Sequence, residues 1–186
     1  LKYFNTNYGS GNIILSNAGT MSTGQVSDDS AGTICANIYS FDPNEEMQAC
    51  CSCPVTPNGL SSMNITEDIL AQNLIANPSS AITVKVLFTL KSAQNSGGPC
   101  DPTKATVSNL AGGGIAWGTN LRSVTFQGSP VTSVSAVTET TFSRAELSTA
   151  ELSKLATYCQ YVKIRGSNVT GICKSCQSGA RGSIGQ

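Results

Sequence analysis

The sequence predicts a mainly β fold: a disulfide-stapled antiparallel β-sandwich with one or two short helices. Three observations carry the prediction. Apolar residues alternate with polar ones in Ala81 to Lys91 and, less regularly, in several shorter runs. Ser, Thr and Asn together supply 58 of the 186 residues, and charged residues only 12%, about half the usual share of about 25%. Such side chains compete with helical backbone bonds and favour strands and turns. Finally, 18 Gly and 7 Pro punctuate the chain at short intervals, as a sandwich of many short strands requires.

Taken in order, residues 1–17 read as an extended N-terminal segment interrupted by Gly9-Ser10-Gly11. Tyr3, Phe4, Ile13, Ile14 and Leu15 are its residues in want of burial. Residues 18–176 form the sandwich domain, and 177–186 a Gly/Ser-rich C-terminal tail. After a polar loop, Thr33 to Leu60 reads as a hairpin turning at Asp42-Pro43-Asn44-Glu45, where Pro presets φ and Asp bonds the following amides. Its returning strand holds Cys50, Cys51 and Cys53; side chains alternate along a strand, so Cys51 and Cys53 face one way and Cys50 the other. Leu60 to Ile65 is a short strand, and Thr66 caps a short helix over Glu67 to Asn73. Ala81 to Lys91 sets Ile82, Val84, Val86, Phe88 and Leu90 on a buried face, and Thr83, Lys85, Thr89 and Lys91 on a wet one, with Leu87 the exception. A long loop over 92–114 contains Cys100, and strands follow at Ile115 to Leu121, Leu121 to Gln127 and Val131 to Phe142. Ser148-x-x-Glu151 is a capping box that opens a helix; Leu152, Leu155, Cys159 and Val162 recur on its inner face, and Gly166 ends it.

Chemistry-bearing patterns are sparse. Histidine is absent, which removes Ser-His-Asp and Cys-His nucleophiles, histidine-ligated zinc catalysis and c-type haem attachment. The carboxylates fall mostly in adjacent turn pairs, Asp28-Asp29, Glu45-Glu46 and Glu67-Asp68, which read as solvated surface; Asp28-Asp29-Ser30 is a weak calcium signal. Gly112-Gly113-Gly114 lacks the context of a phosphate loop, and Trp117 stands without the basic aromatic cluster of a nucleic-acid platform. No catalytic residue, cofactor or resident metal is expected, and the chain is not expected to be an enzyme.

Eight cysteines, Cys35, Cys50, Cys51, Cys53, Cys100, Cys159, Cys173 and Cys176, make an even set that suits four disulfides in an oxidising compartment. The favoured pairings are Cys159 with Cys173 or Cys176, and Cys35 with Cys51 or Cys53. The competing reading is a four-thiolate metal or iron–sulfur site built from Cys50-x-x-Cys53 and Cys173-x-x-Cys176. Those pairs lie far wider apart than the roughly 15–20 residues of a compact zinc ribbon. Two N-x-S/T sequons, at Asn64 and Asn168, are possible glycosylation sites.

At GTICANIYSFDPNEEMQACCSCPVTPNGL, VTETTFSRAELSTAELSKL and the closing Cys159…Cys173-x-x-Cys176, the chain resembles a family of uncharacterised secreted bacterial Cys-rich proteins. The family shares a C-A-x-I-Y-x-F-D…C-C-S-C-P-x-T-P-N-G-L block. The resemblance implies export and disulfides, and it brings no catalytic residue.

Net charge is zero, so no nucleic-acid or anionic-membrane partner is expected, and no apolar run approaches the about 18 residues of a membrane span. Lys2 alone stands against five acidic residues before residue 60, whereas six basic residues after 143 face Glu146 and Glu151. The opening at Leu1 is read as that of a processed, mature chain. The leading expectation is a structural, pilus-like subunit of an extracellular or cell-surface filament or sheath, a homopolymer assembled head to tail. Residues 1–17 of one copy would be the donor strand, with Tyr3, Phe4, Ile13, Ile14 and Leu15 at the interface. Alternatives are a secreted monomer that binds surface glycans or another protein, and the four-cysteine metal protein.

Overall fold

The computed structural model describes residues 1–6, 10–20, 32–72, 81–91, 99–124, 134–166 and 170–178. Among the described residues, eight strands form two antiparallel four-stranded sheets. The first, sheet A, orders β1 (Lys2–Asn5), β6 (Ala81–Leu90), β3 (Ile34–Phe41) and β4 (Met47–Val55) side by side as β1-β6-β3-β4. The second, sheet B, orders β5 (Leu60–Asn64), β2 (Asn12–Asn17), β7 (Gly114–Val124) and β8 (Val134–Thr141) as β5-β2-β7-β8. One long helix, α1 (Thr149–Arg165), and five short helical turns make up the rest of the described regular structure.

The sheets meet over a core of Phe4, Ile13, Leu15, Ala36, Ile38, Val55, Met63, Ile82 and Val84. Glycine lets them approach: a Cβ on Gly118 would stand 2.7 Å from the Phe4 ring, and one on Gly114 would clash with the ring of Phe88. The other face of sheet A is covered as well. There α1 lays Leu152, Leu155, Cys159 and Val162 over Tyr39, Cys50 and Leu87. Burying such side chains contributes about 1.5–3 kcal/mol each, so this third layer is a substantial part of the fold.

The third layer corrects the reading of Ala81–Leu90. Its expected wet face is covered: Lys85 is drawn into an ion pair with Glu151, Leu87 packs beneath α1, and Thr89 is fully buried where it bonds Asn37 near the Cys35–Cys100 bridge. The apparent exception was the residue that reported the roof. Strands β3 and β4 are buried on both faces for the same reason and show no alternation.

Local signals hold with adjustments. Asp42 Oδ1 accepts from the amides of Asn44 and Glu46, both at 2.9 Å, and Glu45 completes the hairpin at φ 65°. Ser148 caps α1 by accepting from Glu151 N, and the Glu151 carboxylate goes to Lys85. The short helix after β5 opens two residues early, as a wide turn over Ile65–Ile69 and a tight one over Leu70–Gln72. Asn64, not Thr66, is its cap, because the Asn64 Oδ1 reaches the amides of both Thr66 and Glu67. The expected strands at Leu121–Gln127 and Val131–Phe142 overlap β7 and β8, and residues 125–133 lie outside the described residues.

All eight cysteines are bridged: Cys35–Cys100, Cys50–Cys159, Cys51–Cys173 and Cys53–Cys176. The favoured pairings are therefore corrected. Strand register sets Cys35 opposite Pro54, which turns it to the same face as Cys50 and away from Cys51 and Cys53. Cys159 sits on α1, outside sheet A, whereas Cys51, Cys53 and Cys173 belong to the core between the sheets. A bridge from Cys159 to Cys173 or Cys176 would have to cross the sheet.

Candidate assembly site

The N-terminal segment threads both sheets. β1 pairs with β6 from Lys2↔Val84 to Asn5↔Ala81, and β2 is inserted between β5 and β7. Between them Gly11 O accepts from Ile65 N at 2.8 Å. Strand alternation sorts the five residues expected at an interface. Phe4, Ile13 and Leu15 point into the core at 1% exposure or less, whereas Tyr3 is exposed and Ile14 half-buried on the outer faces. Here those residues fill the core of their own chain.

Two further residues fix the segment and escaped sequence reading. Asn17, 1% exposed, donates from Nδ2 to Gly32 O and Val55 O, both at 2.9 Å, while its Oδ1 accepts from Gly19 N. The signal was present as Asn-Ala-Gly, an asparagine poised to bond the amide two residues on. Lys2 extends over Gly118 to the Thr140 hydroxyl, and Leu1 and Ser143 exchange backbone bonds at 2.7 and 3.0 Å. The start of sheet A is thereby tied to the end of sheet B, with the Phe4 and Phe142 rings 6.1 Å apart beneath.

Covalent ties are distributed unevenly. Every bridge lies between Cys35 and Cys176, with loops of 65, 109, 122 and 123 residues. Each such closure typically adds about 2–4 kcal/mol by restricting the unfolded chain. The body is stapled, whereas residues 1–34 contain no cysteine, and their described part is held by hydrogen bonds and packing.

The sheet edges are also unequal. Beside β4, Gly171 O accepts from Ser52 N and Cys173 N donates to Ser52 O, so the C-terminal segment covers that edge. Near β5 runs the turn Lys174–Ser178, with Cys176 Sγ 4.0 Å from Met63 Sδ. β8 pairs with β7 and, among the described residues, with no other strand; its residues 137–141 are exposed.

Two open grooves flank Leu1. One, of about 420 Å³, is lined by Val86, Phe88, Ala111, Phe142 and Arg144; the other, of about 490 Å³, by Phe41, Lys85, Glu151, Leu155 and Tyr158. Neither gathers a nucleophile with a base. Trp117 lies half-buried on the outer face of sheet B, in register between Ile14 and Thr141. Asn64 is occupied as a helix cap, while Asn168 and Asp28-Asp29-Ser30 lie outside the described residues. Cys50, Cys53, Cys173 and Cys176 enter three separate bridges, and among the described residues no three potential ligands converge.

Tyr39 and Asp101 have displaced acidities. Burial, with the nearby Asp101 charge, pushes the Tyr39 hydroxyl far above the ordinary phenol range, and it donates to Pro102 O at 2.6 Å. Burial works against the Asp101 carboxylate, but bonds from Thr103 and the Lys163 charge outweigh it and hold Asp101 below the usual range. Both serve the loop that Cys100 anchors. Comparison with family models, curated proteins and solved structures gives no match.

Proposed function

We propose that the protein is a structural subunit of an extracellular filament or sheath, assembled head to tail by exchange of residues 1–17 between copies. One observation carries the reading: the segment that fills a central slot of sheet B is the segment that no disulfide retains. Withdrawing β2 from between β5 and β7 opens a gap lined by unpaired backbone groups, which β2 of a neighbour fills with identical bonds and identical side chains. Residues 21–31 join this segment to the body, and a stretch of that length can span at most about 35–40 Å. The four bridges keep the acceptor rigid while its slot is empty, and they suit an oxidising space outside the cell.

Ser16 and Leu60 are cross-strand partners, so they provide the test. Ser16→Cys and Leu60→Cys chains, co-expressed and oxidised, should give a disulfide-linked pair of chains on a denaturing gel. If every β2 stays in its own chain, that band is missing and the reading fails. A second reading, a glycan-binding module, draws on Trp117 and the half-buried Ile14 beside it on a face whose only described charge is Glu139. Monomers at all concentrations, with Trp117 fluorescence altered by oligosaccharide, would favour it.

A further inference from the structure

We infer that the Cys53–Cys176 disulfide is a reducible latch on β5, which a dithiol opens ahead of the other bridges and which, once open, loosens β2 in its slot. Cys176 is half-buried, whereas the other seven cysteines are 3% exposed or less, so an external thiol meets the least cover here. Opening it is also local. Cys51–Cys173 closes nearly the same loop, 122 against 123 residues, so loss of the outer bridge frees the turn Lys174–Ser178 while the rest stays tied. Both sulfurs of the latch rest on β5: Cys53 Sγ lies 3.6 Å from Ser61 Oγ, and Cys176 Sγ 4.0 Å from Met63 Sδ. In the register of β5 against β2, Ser61 stands beside Leu15 and Met63 beside Ile13. The latch therefore backs the cross-strand neighbours of the two β2 side chains that fill the core.

The opening step is thiol–disulfide exchange. One thiolate of the dithiol attacks Cys176 Sγ, the Cys53–Cys176 bond breaks, and Cys53 leaves as a thiolate that takes up a proton. The second thiol of the reagent attacks the reagent's own sulfur in the mixed disulfide and releases Cys176. The reagent departs as its cyclic disulfide, two electrons having passed to the protein. β5, the outer strand of sheet B, then keeps its pairing with β2 but loses the bridge behind it. As a control on strand exchange, the latch rests on the reading that residues 1–17 pass between copies. The slot is the same whether a chain's own β2 or a neighbour's fills it, so the latch sets the rate of exchange and not its balance.

The test uses the full oxidised chain and limiting dithiothreitol. Thiols freed over time are alkylated and located by peptide fragmentation in a mass spectrometer. Cys53 and Cys176 should be labelled together, at least about tenfold faster than any other bridged pair. Earlier opening of another bridge, or opening of all four at once, overturns the inference. Amide hydrogen exchange is then followed in the singly reduced chain without alkylation. Exchange at residues 13–16 should rise at least about tenfold over the oxidised chain, while that of β3 stays unchanged. Unchanged exchange in β2, or an equal rise in β3, also overturns it. Both readouts are made within single chains, so they stand or fall apart from the Ser16/Leu60 cross-link, which reads strand exchange itself.

Discussion

Asn37 illustrates how single residues hold this fold. Fully buried on β3, it donates from Nδ2 to Thr89 Oγ1 at 2.9 Å and accepts from Ser52 Oγ at 2.8 Å. These bonds link β6, β3 and β4 side chain to side chain, beneath the loop and helix layer. A closed polar network of this kind stabilises modestly when complete, and removal of one member leaves buried groups without partners. Asn37→Ala is expected to cost about 1–3 kcal/mol, read from the shift in denaturant midpoint with all bridges intact. Residue identity made some of this scale readable from sequence. Alternation placed Cys50 opposite in facing to Cys51 and Cys53, and the structure agrees. The partners were not readable, because they depend on the hairpin register and on which sheet face receives α1; neither leaves a mark within a few residues of a cysteine.

At the scale of elements, α1 was legible from its Ser148 cap, its Leu152, Leu155, Cys159 and Val162 stripe, and Gly166. Its docking site was not, although Leu87 within an otherwise alternating strand was a clue. Two interactions secure the layer besides packing: the Cys50–Cys159 bridge, and the Lys163–Asp101 pair at 3.3 Å, which joins α1 to the loop that Cys100 anchors. The acidity of Asp101 gives this contact a pH signature. Its folded value lies below the unfolded one, so its contribution is present above the ordinary aspartate range and disappears as pH falls through the depressed folded value. Acid titration of stability should therefore show a loss beginning near pH 4, and Asp101→Asn should flatten that limb while changing the neutral-pH slope little. An unchanged acid limb in Asp101→Asn would remove the ion pair from the account. The short helix after β5 carries a different lesson. Asn64 and Thr66 both have capping side chains, and strand β5 ends at the first of them.

The whole molecule divides into a cross-linked body and an unlinked leading segment that completes both of its sheets. Composition anticipated the sandwich and the bridges, since few charges, many hydroxyls and an even cysteine count are properties of the entire chain. The proposed assembly draws instead on a contrast between regions, a leading strand without a staple against a stapled body, which emerges only once the strands are placed side by side. In the proposed assembly, exchange of β2 would supply a head-to-tail link between identical subunits. The central claim is polymerisation through the first strands, and electron microscopy of the purified, oxidised full chain over rising concentration addresses it most directly. The account predicts filaments that disperse when Phe4, Ile13 and Leu15 are all replaced by Asp, a change expected to leave the stapled body unable to close its sheets. Uniform single particles of one 19.2 kDa chain at every concentration would contradict it.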